Sequence, residues 1–328
     1  MQEVAQASSL ELPTGYYVEW DPDVLVLRQL DGTMVGVFST RGADPAAVRQ
    51  VAEENAREEP FVHRREAPSS VAVQPSLRVH FFGHFEVLCD DEVITLGRNG
   101  KALTILKYLL ANRRRPVSQD YLMGWMWPKS NLKRARWSLN SAIHGLRALL
   151  SECPSSAPLN YVLLEDGYYR LCSDVRLITD VDEFDARYEE GRRLGKEGQA
   201  EEEAAEYEKA IDLYRGDYLV EDLYEDWTMV ERERLSNAYM DMLGRLAVHH
   251  MEDDQPQEGI RICYKILEKD RCHEDSYRLL MQCYARLGLW NKALRQYRLC
   301  ERILRQTHGM APSPETHVLY ESLFSEHP

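Results

Sequence analysis

The sequence predicts an α+β chain, mostly helical, in three parts. A small sheet-and-helix domain comes first, then a mixed module of strands, helices and a hairpin, then an all-helical solenoid. Three observations predict this. Residues 12–58 alternate with period two before a single helical run. Residues 77–172 pass from strands through three helices to a hairpin pattern. Beyond Cys172 the pattern is helical throughout, with a small-residue motif that recurs after 34 residues.

The composition, 44% apolar and 29% charged over 328 residues, is that of a soluble globular protein of two or three domains. There is no run of 18 apolar residues, so no membrane association is expected. The start, MQEVAQASSLELP, lacks the basic and apolar regions of a signal peptide. Seven cysteines with no CxxC pair are expected to be free, mostly buried thiols, and the expected location is cytoplasmic.

Residues 1–10 are expected to be disordered. GYYVEW, VLVLR and MVGVFS read as three strands, with Tyr16, Val18 and Trp20 on one face and Asp31-Gly32 as a turn. Asp44-Pro45 reads as an N-cap followed by proline at the first helical position. The helix after it should pack Ala47, Val48 and Val51 on the sheet. About 47 ordered residues bury little core, so docking on a neighbour is expected. Residues 59–75 read as a linker, which bounds a first domain at 1–75. Two readings of that domain stand: a structural cap, which is preferred, or a sensor for an unidentified small-molecule effector.

In the second part, LRVHFFG, FEVLC and VITL read as short strands, with Asp90-Asp91 as a turn. Arg98–Asn112 is a helix with Leu103, Leu106, Leu109 and Leu110 inward, and Pro116 prevents its continuation. Ser118 caps a short helix that stops before Pro128. The stretch Lys129–Leu150 follows as one amphipathic helix without an acidic residue. Ala135, Leu139, Ala142, Ile143, Leu146, Leu149 and Leu150 form its apolar stripe. Lys133, Trp137, Asn140, Ser141, His144 and Ala148 lie on the opposite face, flanked by Arg134, Arg136 and Arg147. YVLLEDGYYRLC then reads as a hairpin about Asp166-Gly167. The order of strands, helix, helix, basic helix and hairpin is that of a winged helix-turn-helix, here over 76–176.

Charge agrees with that reading. From Arg98 to Leu150 eleven Lys and Arg face Asp120 alone, in a chain of formal net charge −14. A basic patch segregated on an acidic protein is the footprint of a nucleic-acid site. Lys and Arg suit phosphates, and Asn, Ser and His suit base edges in a major groove. The candidate DNA contacts are therefore Arg113, Arg114, Lys129, Lys133, Arg134, Arg136, Trp137, Asn140, Ser141, His144 and Arg147, with Arg170 on the hairpin.

LRVHFFGHFEVL, VSQDYLMGWMWP, ARWSLNSAIHGLRALL and DGYYRL together resemble the OmpR/PhoB type of DNA-binding domain. In that type the wing commonly carries an arginine near its tip. Here the tip is Glu165-Asp166-Gly167, so the wing is expected to stand off the DNA or to reach it through Arg170 and the Tyr168-Tyr169 pair.

The third part, 177–328, holds 33 acidic and 20 basic residues. Glu203/Tyr207/Ala210, Gly259/Cys263/Ile266 and Ala293/Tyr297/Cys300 repeat one packing pattern, and the last two copies are separated by the tetratricopeptide period. So acidic a solenoid is expected to hold a protein partner or a second copy rather than DNA. DVDEFDARYEEGRR, GDYLVEDLYEDW, ERERL, the helices from Tyr277 to Leu304 and GMAPSPETHVLYESL resemble the bacterial transcriptional activator domain of the SARP family. The resemblance covers residues 76–325. It implies an activator that binds double-stranded DNA at direct repeats as a homodimer and recruits RNA polymerase, with no cofactor and no catalysis.

His249-His250-x-Glu252-Asp253-Asp254 is the one stretch with metal-ligand residue types. Its adjacent histidines lack the i, i+4 spacing of a helical metal site, and a fraying helix end is the preferred reading. No catalytic grouping can be read from spacing. The alternative function is a tetratricopeptide adaptor with only non-specific nucleic-acid binding.

Overall fold

The computed structural model describes residues 12–13, 16–20, 24–29, 34–39, 45–58, 76–90, 92–94, 100–150, 161–172 and 175–326. The chain divides into two compact units, 1–73 and 74–328. Residues 1–10, the Asp31-Gly32 turn, Asp44 and the 59–75 linker lie outside the described residues.

In the first unit β1 (Tyr16–Trp20), β2 (Val24–Gln29) and β3 (Met34–Ser39) form an antiparallel meander, and α1 (Pro45–Glu58) follows. Tyr16, Leu27, Val48 and Ala52 are its buried residues, with Leu12, Val18, Val35 and Val51 packed around them. Ala47, expected on the sheet, is exposed. The buried pair on α1 is Val48 and Ala52, four residues and one helical turn apart, and Ala47 points about 100° away.

The second unit begins with β4 (Ser76–His80), β5 (Glu86–Cys89) and β6 (Glu92–Val93). Leu77, Val79, Val87 and Cys89 alternate inward on β4 and β5. Three helices follow: α2 (Gly100–Ala111), α3 (Gln119–Met126) and α4 (Leu132–Leu150). Between α2 and α3, β7 (Val117–Ser118) pairs with the wing, which consists of β8 (Val162–Glu165) and β9 (Tyr168–Leu171). Asp166 (φ 49°) and Gly167 (φ 80°) are both left-handed, as a tight two-residue hairpin turn requires.

The pattern does not turn wholly helical after Cys172. Arg176–Thr179 is a strand, β10, parallel to β4, and the sheet order is β10-β4-β5-β6. Its four residues are too few to reveal a period, and its partner lies about a hundred positions earlier. Cys89 also departs from expectation: it is disulfide-bonded, and its partner is outside the described residues. Cys172, Cys263, Cys272, Cys283 and Cys300 are free.

Helical hairpins then stack as α5 (Asp180–Lys196) on α6 (Ala200–Leu213), α7 (Asp226–Glu252) on α8 (Pro256–Lys269), and α9 (Glu274–Arg286) on α10 (Trp290–His308). The last helix, α11 (Pro314–Glu326), packs against α9 and α10. The small-residue motif explains the close approach. A Cβ on Gly259 would sit 3.1 Å from the Ala247 carbonyl oxygen, and one on Gly191 would sit 2.4 Å from the Tyr207 ring. This is a tetratricopeptide-like solenoid behind a winged helix, an α+β architecture dominated by helix.

The solenoid is welded to the winged helix. Thr179 caps α5 by accepting the Asp182 N–H at 3.0 Å. The Asp180 carboxylate accepts the Phe81 and Phe82 N–H groups, each at 2.9 Å. Phe82 bridges Tyr218, and Leu219 N–H donates to the Phe81 carbonyl at 2.9 Å. Phe82 also packs against Phe184 and Tyr214, at ring distances of 5.1 and 4.7 Å. One hydrophobic core therefore runs from β4 into the solenoid helices.

Candidate nucleic-acid interface

Helix α3, a five-residue turn and α4 build the helix-turn-helix. Ser118 accepts the Tyr121 N–H at 3.4 Å at the start of α3. The Asn131 side-chain oxygen accepts the Arg134 N–H at 2.8 Å, so α4 starts at Leu132 and not at Lys129. Lys129 is exposed in the turn before it. Beside the turn, Lys101 donates to the Met126 carbonyl at 2.6 Å and lies over the Trp127 ring.

The apolar stripe of α4 enters the core. Ala135, Leu139, Ile143, Leu146 and Leu150 are buried, with Ala142 and Leu149 partly so. That burial fixes the rotation of the helix and turns Lys133, Arg134, Arg136, Trp137, Asn140, Ser141 and His144 outward, all exposed. Trp137 is 72% exposed, unusual for an indole that only needs to fill space.

The remaining candidates are held differently. Arg147 does not join the exposed face: its guanidinium donates to the Val162 carbonyl at 3.1 and 2.8 Å, tying α4 to the wing. Arg113 is turned inward, with Nε 2.9 Å from Asp182 Oδ2 and a further bond to the Leu110 carbonyl. Arg114 reaches the same carboxylate at 2.8 Å while its side chain stays 82% exposed. Burial would raise the Asp182 carboxyl, but hydrogen bonds from Arg113 and Thr179 and the charges of Arg113 and Arg114 outweigh it and hold it below the usual range. Lys107, counted in the basic patch, is buried and bonded to Glu221 at 3.1 Å and Asp222 at 2.5 Å. The surface patch is thus smaller than the residue count implies, because charge counting cannot see pairs formed across the fold.

On the wing, Arg170 and Tyr168 are exposed, whereas Tyr169 is buried at 1% and cannot touch DNA. Strand alternation turns Tyr169 to the core side, opposite Val117 of β7. Glu165 and Asp166 are exposed at the tip. Two exposed side chains of this module escaped the residue pattern: Arg115, hidden in an arginine run, and Tyr121 on α3.

Elsewhere, the His249-His250 stretch lies at the end of α7. Among the described residues no group of three His, Cys, Asp or Glu is placed to hold a metal ion, and no helix is long and apolar enough to cross a membrane.

Residues 179–324 match the family described as bacterial transcriptional activator domain. The chain is 24% identical over 228 residues to the transcriptional regulatory protein MoaR1 of Mycobacterium bovis and to that of Mycobacterium tuberculosis, covering 70% of this chain and 73% of each relative. Its fold is similar to Mycobacterium tuberculosis EmbR, solved in complex with a low affinity phosphopeptide: TM-score 0.65 at 22% identity, over 77% of this chain and 66% of that one. A winged helix is thus welded to the front of a region that matches the bacterial transcriptional activator domain, and the chain is similar to transcriptional regulators that share it.

Proposed function

We propose that the protein is a sequence-specific DNA-binding activator that sits on direct repeats in double-stranded DNA as a homodimer and recruits RNA polymerase in the cytoplasm, without catalysis. The observation that carries this reading is the outward face of α4. Lys133, Arg134 and Arg136 supply phosphate contacts, and Asn140, Ser141 and His144 supply donors and acceptors for base edges, with no carboxylate among them. A loose electrostatic binder needs only the cations. Arg114, Lys129 and Arg170 add phosphate contacts at the margins, while Arg113 and Arg147 act as positioning groups. Residues 1–75 serve as a cap, and the solenoid from 177 onward engages protein partners.

The test is competition. A short duplex carrying the preferred site should displace bound protein far better than random DNA. Affinity for both should fall steeply with salt, with a log–log slope of about −0.9 per phosphate neutralised. Equal competition by both duplexes would leave only the adaptor reading.

A further inference from the structure

The outward face of α4 has an apolar centre. Trp125, Trp127, Trp227 and Trp290 pack against the core, whereas Trp137 has 72% of its surface in water. At about 100° per residue it points almost directly away from the buried stripe of Ala135, Leu139, Ile143 and Leu146. Lys133, Arg134, Asn140 and Ser141 lie three or four residues from it, so they are its immediate neighbours on the helix surface, and all four are exposed. A large aromatic ring therefore stands in the middle of a basic, hydrogen-bonding face.

Such a ring gains free energy only when a partner takes it out of water. Its surroundings select that partner. Helix α4 has no Asp or Glu, and Lys133, Arg134 and Arg136 surround the indole, so a polyanion fits there better than an apolar protein surface. The duplex proposed above offers the ring its base edges. An indole has one donor, Nε1–H, and no acceptor. In the major groove adenine and cytosine each present an amino donor, which an indole cannot accept, and guanine presents only polar acceptors. Thymine alone presents an apolar group, its 5-methyl, beside one acceptor, O4. That pair matches an apolar ring carrying one donor.

We propose that Trp137 is a specificity-determining residue that reads the 5-methyl group of a thymine in the major groove. This deepens the DNA-binding reading above and rests on it. Asn140, three residues further along the same face, suits an adenine. Three residues of helix rise about 4.5 Å, and base pairs are spaced by about 3.4 Å. With α4 lying along the groove, the thymine is one or two base pairs from the pair that Asn140 reads.

The experiment selects bound duplexes from a random-sequence pool on the full chain. The recovered duplex is resynthesised with deoxyuridine in place of one thymidine at a time, which removes the methyl group and keeps the base pair. Fluorescence anisotropy then gives Kd for wild type, Trp137→Ala and Trp137→Phe, and equal affinity and salt slope on random DNA report that both variants are folded. Expected is one thymine whose methyl loss weakens wild type about fourfold, the factor that about 0.8 kcal/mol for one buried methyl-sized group gives. Trp137→Ala should bind the thymine duplex at least fourfold more weakly and ignore that replacement, while Trp137→Phe keeps part of the discrimination. The thymine should lie within two base pairs of the adenine whose replacement Asn140→Ala tolerates. If wild type ignores the replacement at every thymine, or Trp137→Ala discriminates as wild type does, the methyl assignment is wrong and the DNA-binding reading survives. If no duplex is enriched over the random pool, the specific DNA-binding reading fails with it. If Trp137→Ala loses dimerisation while keeping the methyl effect, the indole packs on a second copy of this chain and the assignment is overturned.

Discussion

Lys107 gives the most direct test of the weld. Its side chain is 3% exposed, and its ammonium lies 3.1 Å from Glu221, 2.5 Å from Asp222 and 5.1 Å from the centre of the Phe85 ring. Replacing it by alanine has two separable costs. Three methylenes leave a packed site, about 2 kcal/mol at about 0.8 kcal/mol each. Two carboxylates lose their cation, which costs about 3–5 kcal/mol for a fully buried pair. Asp222 is 15% and Glu221 43% exposed, so water screens part of that loss and about 2 kcal/mol is the better figure. Lys107→Ala should therefore destabilise by about 4 kcal/mol. Lys107→Met, which keeps the chain length, should cost about half as much. For a unit of this size the melting midpoint should drop by about 8–16 °C for alanine. Thermal and urea unfolding measure this, and anisotropy on random DNA checks that the folded variant keeps its affinity and salt slope. A stable Lys107→Ala variant with a shallower salt slope would mean that Lys107 contacts phosphate, and the account of the weld would be wrong.

Other outcomes follow from the site. Asn140→Ala should cost about 1–3 kcal/mol on the preferred site and little on random DNA, and equal losses in titrations of both would make Asn140 a backbone contact. Glu165→Arg at the wing tip should tighten binding without sharpening sequence preference, since it turns a repulsive charge into an attractive one; Asp166 is left alone, because its φ of 49° makes most replacements strained. Carboxylates at and beside the weld should also make the second unit acid-labile, with burial of Asp180, which raises its carboxyl, opposing part of the effect. Asp182 and Asp217 are held low because hydrogen bonds and cations outweigh burial, and Glu221 because His84 and Lys107 bond to it. Groups lowered on folding stabilise fully above their unfolded values of about 4 and lose that contribution as pH falls through the folded values, so the urea midpoint should fall below about pH 5. Asp182→Asn should flatten the fall, and an unchanged profile would remove Asp182 from the account. A chain beginning at Gln74 should bind the operator with unchanged affinity if residues 1–73 are a cap; tighter binding would make them inhibitory.

The sequence by itself determined most of the elements and the rotation of α4. Amphipathic period, proline stops, the Ser118 cap and the Asp166-Gly167 turn act within a few residues, so they are readable from neighbours alone. The alternation of Leu139, Ile143 and Leu146 with Asn140 and His144 places the outward face before any tertiary contact is known. Small residues at Gly259 and Ala293 likewise announce the stacking of helical hairpins. Tertiary structure decided what depends on partners far along the chain. β10 is a strand because β4 lies open to it, and the Asp180 carboxylate finds the amides of Phe81 and Phe82 some hundred residues away. Lys107 and Arg113 look like surface cations in the sequence, yet Asp222 and Asp182 draw them inward, and Arg147 is spent on Val162. Tyr169 and Tyr168 are adjacent and chemically identical, and only the pairing of β9 with β7 buries one and leaves the other in water. Local pattern fixes which way a side chain points from its own element, whereas burial and charge pairing depend on which other element arrives opposite it.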